Sequence, residues 1–193
     1  MKKFSGYEES KEATKYAGGG GQLPPGAYVC KVLGVKFEEH PEESSDRLLL
    51  QFDICEGEYE GFFKKQYEAN QREDKKFKGK ITIYAPNDNT KEEWQLNNFT
   101  RAINAFEDSN EGYTWEWKEK TLKDKIVGIV FGETGTRIEG RDIVYTEARF
   151  FVAADRVRNG SAPEAKFKAK NGYGENTEPS GADLSSLSEE LPF

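Results

Sequence analysis

Twice in this sequence lysines alternate with aromatic rings, as "FFKKQY" at 62–67 and as "KKFKGKITIY" at 75–84. The first stretch offers Phe62, Lys64, Lys65 and Tyr67, and the second Lys76, Phe77, Lys78, Lys80 and Tyr84. Arg137, Arg141, Tyr145 and Arg149 form a looser set further along. Rings can stack on unpaired bases at about 1–3 kcal/mol each while cations follow the phosphates, and stacking is indifferent to base identity. The plain alternative is a solvated face whose rings belong to a core. Other chemistries have little to build with. His40 is the only histidine and precedes Pro41 in an acidic loop. Cys30 and Cys55 lack metal-ligand spacing and read as small buried hydrophobes in a reducing compartment. A metal-dependent nuclease could draw on Asp46, Asp53, Asp142 and Asp155, but no paired motif joins them. The glycines of "GGGGQLPPG" have no strand before them and no Lys-Ser/Thr after, so they are linker and not a phosphate loop. The expectation is a binding protein, not an enzyme, with no metal and no cofactor.

The elements that must carry these residues are mostly strands. "AYVCKVLGVKFEE" is rich in β-branched and aromatic residues, and Gly34 interrupts its alternation, which marks a bulge or bend. In "DRLLLQFDI" Leu48, Leu50, Phe52 and Ile54 share one face, opposite Arg47, Gln51 and Asp53. The short polar "HPEESSD" between the two makes them an antiparallel pair. An extended region, in which Phe62 and Phe63 would point opposite ways and only one could be core, leads past a charged interruption to a strand at 80–85. Thr90 and Glu93 have capping-box spacing, and Leu96, Phe99, Ala102, Ile103 and Phe106 form one helical stripe with Trp94 off it. "TWEW" at 114–117 reads as packing. Two strands follow at 125–131 and 142–153, joined by the glycine-rich loop "GETGTRIEGR". On the last, Val144, Ala148, Phe150 and Val152 would face in, and Tyr145, Arg149 and Phe151 out. This order predicts an all-β domain with one helix, an OB-fold-like five-stranded Greek-key barrel, with a sandwich as the competing arrangement.

The chain has 193 residues, enough for one domain plus tails, with 35% hydrophobic and 33% charged residues. No apolar run could span a bilayer, and "MKKFSGYEESKE" lacks the apolar stretch of a secretory signal. The expected division is a flexible segment over 1–26, the barrel over 27–159, and a disordered acidic tail over 160–193. A net charge of −7 argues against a phosphate ligand, but residues 1–159 hold 25 basic and 29 acidic side chains, close to balance. The last twenty residues hold Glu175, Glu178, Asp183, Glu189 and Glu190 and no lysine or arginine. What matters for phosphate is the local patch.

The tail ends "DLSSLSEELPF", and Glu189, Glu190, Leu191, Pro192 and Phe193 resemble the acidic tip of bacterial and phage single-stranded DNA-binding proteins. That tip usually has a run of aspartates, here two glutamates, and often Ile where Leu191 stands. "LPPGAYVCKV", "LLLQFDICEGEYEGFFKKQYE", "LKDKIVGIVFGE" and "ARFFVAADRVRNG" also resemble a family of phage early proteins. The resemblance implies a phage protein in the host cytoplasm that binds and protects single-stranded DNA during replication or recombination. It also implies recruitment of replication or repair proteins through the tip, where a pocket takes the ring and basic residues take the carboxylate. A second copy of the chain is open as a further partner, and a membrane is not expected. The alternative is a phage protein-binding or DNA-mimic module acting on a host DNA-processing enzyme.

Overall fold

A bent strand shared between two neighbours organises the fold. The structure, a computed structural model, describes residues 21–174. In β1 (Gly26–Glu38) the first half, to Lys31, pairs antiparallel with β4 (Ile126–Ile138). From Cys30 onward β1 pairs with β2 (Ser45–Ile54). The register shifts between Val32 and Gly34, with Leu33 the extra residue, where the mid-strand glycine marks a bend. β3 (Lys80–Pro86) adds outside β2, and β5 (Arg141–Val152) outside β4. The order is β3-β2-β1-β4-β5, with a short β6 (Lys168–Lys170) parallel to β4 at Thr134–Thr136. The result is a mostly β, curled half-barrel. β3 and β5 end the path, and among the described residues no hydrogen-bonded register joins them. The barrel is left open along that seam.

Strand alternation fills the interior as expected: Leu48, Leu50, Phe52 and Ile54 of β2 meet Cys30, Val32, Val127, Ile129 and Phe131 in one buried cluster. Helix α2 (Glu93–Ser109) packs Phe99, Ala102, Ile103 and Phe106 into it and lies across β3, β4 and β5. Both cysteines are free, and burial pushes the Cys30 thiol well up. Among the described residues no helix is long and apolar enough to cross a membrane.

Several expectations need correction. Three α-helices are present among the described residues, not one, because residues 62–69 form α1 (Phe62–Ala69) and 154–158 form α3 (Ala154–Arg158). Asp53, nearly buried on β2, accepts the backbone N–H groups of Phe63 and Lys64 at 2.9 Å each and so caps α1 from ten residues away. On a helix, adjacent Phe62 and Phe63 can both reach the core, and both are buried. The capping box is not formed: Thr90 Oγ1 accepts from Asn87 N and donates to Ser44 O instead. Leu96 is exposed. The loop expected over 132–141 is mostly strand, with a two-residue turn at Glu139 and Gly140, whose φ values of 50° and 76° suit a primed turn. On β5 the register shifts opposite Val130/Phe131, so Arg149 is the extra residue and the faces swap beyond it. Phe151 therefore packs on Phe106 and Phe150 is exposed; Val144, before the shift, is exposed as well, and Val152 is buried as expected.

Both domain edges also move. Leu23 is buried in the core, so the packed chain starts before position 26. After Gly160 the chain continues as a strap whose Phe167 and Tyr173 rings lie over Gly135, where an added Cβ would come within 2.7 Å of both. β6 pairing and the Lys170–Glu147 ion pair at 3.0 Å fix the strap further.

Candidate nucleic-acid interface

The second lysine stretch is built as a ladder. In the extended chain leading into β3, Lys76, Lys78 and Lys80 are exposed, while Phe77 turns inward against Phe63 and Tyr67. Gly79 is buried, and a side chain there would collide with the Phe52 carbonyl oxygen, so the chain can hug β2 only with glycine. Among the described residues none of these three lysines has an ion pair. Lys75 sits 4.6 Å from the centre of the Tyr67 ring, a cation–π contact that holds the ring in place.

The ladder borders a cleft of about 780 Å³ on the open seam. Its floor is made of Phe52, Phe62, Phe63 and Phe131, and its rim of Gln66, Lys78, Lys80 and Tyr145. A neighbouring hollow of about 400 Å³ runs from Lys78 past Lys76 to Tyr67 and Arg72. One surface therefore combines unpaired cations, two tyrosine rings and an opening between β3 and β5. The floor rings are buried against one another, Phe63 edge-on to Phe52 and Phe62 and stacked on Phe131, and present no face to a ligand. Phe62 and Phe77 thus serve packing, and the tyrosine rings that keep uncovered surface along the two hollows are Tyr67 and the half-buried Tyr145.

Other sequence candidates fall elsewhere. Lys64 and Lys65 are exposed on α1. Arg137 pairs with Asp142 at 2.8 Å beside the hairpin turn, Arg141 is exposed there, and neither lines the clefts. Arg149 is not available for phosphate: it is mostly buried, pairs with Glu147 at 2.9 Å and donates to Glu133 O and Thr134 Oγ1. Burial pushes the Glu147 carboxyl up, but hydrogen bonds from Lys170 and Thr134, with the charges of Lys170 and Arg149, outweigh it and hold it below the usual range.

The four aspartates of a nuclease reading are each engaged. Asp46 accepts from His40 N and Asn87, Asp53 caps α1, Asp142 holds Arg137 and Asp155 holds Arg158. Of the tryptophans in "TWEW", Trp115 packs on the core and Trp117 stacks at 5.9 Å on Phe99.

At the other end of the seam lies a groove of about 450 Å³, of whose lining the sequence offers only Tyr84 and Arg149 as contacts. Tyr84 on β3, Trp94 on α2 and Phe150 on β5 edge it. The i, i+4, i+7 spacing of Trp94, Asn98 and Arg101 is the sequence signal for its helical wall. The tip residues Glu189, Glu190, Leu191, Pro192 and Phe193 lie outside the described residues. No protein-family model matches this chain, and no curated protein matches it in sequence.

Proposed function

We propose that the protein is a phage single-stranded DNA-binding protein whose curled sheet is an OB-type barrel. It takes the strand along the open seam with little sequence preference. The observation that carries this reading is the Lys76–Lys78–Lys80 ladder, exposed and unpaired among the described residues, which runs along two adjoining hollows that share Gln66 and Lys78, one lined by Tyr67 and the other by Tyr145. Phosphates follow the ladder, and unstacked bases turn toward the tyrosines. The strand order β3-β2-β1-β4-β5, with a helix between β3 and β4, supports the OB assignment. Binding and protection would serve replication or recombination in the host cytoplasm, with partners recruited by the Pro192–Phe193 tip.

The test is a titration of labelled single strands and of duplex of equal length. Single strands should bind more tightly, because duplex bases are already stacked and unavailable to the rings. Equal affinity for the duplex would refute stacking as the source of binding.

A further inference from the structure

The groove at the α2 end of the seam has features that the ladder does not explain. Trp94 and Tyr84 are 59% and 57% exposed, and Phe150 is 37% exposed, so three rings edge one groove with much of their surface uncovered. Burial of such rings is worth more than burial of most side chains, and their exposure together in one concave place marks a ligand surface. Trp94, Asn98 and Arg101 stand at i, i+4 and i+7, so α2 presents them along one face beside its core stripe. Arg101 is exposed and has no ion pair among the described residues. Among the described residues no carboxylate lines the groove.

A second observation points to what the ligand offers. Gln95 lines the same groove and is only 8% exposed. Its Nε2 donates to Ser44 Oγ at 3.1 Å, but its Oε1 has no hydrogen-bond partner. A buried acceptor left unpaired costs about 1–3 kcal/mol, so a ligand N–H that reaches it gains that much in return. The groove thus combines ring surface, one buried acceptor, an amide at Asn98 and a free guanidinium.

We propose that this groove is a second nucleotide subsite, in which an unpaired base stacks against Trp94 and Tyr84. The base edge donates an N–H to Gln95 Oε1, and Arg101 meets the adjoining phosphate. This rests on the single-strand reading above and extends it. The two sites are neighbours along the seam: Lys80 and Ala148 line the first cleft, and Ile81 and Arg149, the next residues on the same two strands, line the groove. From Lys80 to Tyr84 is about 13 Å along β3, so one strand lying on the seam reaches both.

The experiment compares wild type, Trp94→Leu/Arg101→Gln, Trp94→Phe and Lys76→Gln/Lys78→Gln/Lys80→Gln, each titrated with a labelled single strand of about 16 nucleotides. A Trp115→Phe/Trp117→Phe background leaves Trp94 as the only indole reporter. The expected result is quenching of Trp94 emission on binding and about tenfold weaker affinity for Trp94→Leu/Arg101→Gln. Trp94→Phe, which keeps a ring, should retain most of the affinity and guards against loss through misfolding. If the lysine variant binds weakly while the groove variants bind like wild type and Trp94 emission is unchanged, the subsite is refuted and the ladder stands. The same result is expected of a groove that serves an aromatic peptide. If wild type binds no single strand, both readings fall.

Discussion

Replacing Lys76, Lys78 and Lys80 together by glutamine removes three charges from one edge of the seam and little else. All three side chains are exposed and none has an ion pair among the described residues, so no partner is left stranded. Stability should change by no more than about 0.5 kcal/mol per site, as for ordinary surface substitutions. Binding should change in a defined way. Each phosphate contact on a single strand contributes about 0.7 to the slope of log affinity against log salt, so three contacts contribute about 2. A fourfold rise in salt should then cost the variant about 16-fold less affinity than it costs wild type. Fluorescence anisotropy of a labelled strand at four or more salt concentrations gives the slope, and a thermal melt checks the fold. An unchanged slope would refute the ladder as the phosphate track and shift attention to Lys64, Lys65 and Arg141.

The remaining expectations separate packing from contact. Phe62→Ala should cost about 3–5 kcal/mol of stability, measured by denaturant unfolding, because it empties a buried site. Tyr67→Ala should instead cost about 1–3 kcal/mol of single-strand affinity, read in the same anisotropy titration. The strap over β4 should loosen in acid. Glu147 is held below its ordinary value, so its contribution is complete above about pH 4.3 and lost as pH falls through the folded value. Protection factors at 161–174, which are exchange rates corrected for the intrinsic pH dependence of amide exchange, should therefore fall on acidification, and Glu147→Gln should remove that fall. Phe193→Ala should abolish capture of replication or repair proteins from host lysate while leaving strand affinity unchanged, and identical partner sets for both proteins would refute the tip.

What the sequence disclosed and what it hid divide along one physical line. Contacts that repeat with a local period were legible: the alternation of Leu48, Leu50, Phe52 and Ile54, and the stripe Phe99, Ala102, Ile103 and Phe106. Contacts set by a distant partner were not. Helix α1 depends on Asp53, ten residues away and on another element, so "FFKKQYEA" alone gives no N-terminal signal. The inward face of β5 depends on a register shift against Val130 and Phe131, and no residue of β5 announces it. The strap has the sparse apolar residues of a tail, yet Phe167 and Tyr173 need only the bare backbone of Gly135 to rest on. The same rule governs the binding surface. The lysines of the ladder were readable from their alternation, but which rings stay free depends on packing: α1 turns Phe62 inward and leaves Tyr67 at the rim. An unclosed seam cannot be read from either strand that borders it. It exists because β3 and β5 each have one partner and lack the other, and that missing pairing opens the cleft where the cations and tyrosines meet.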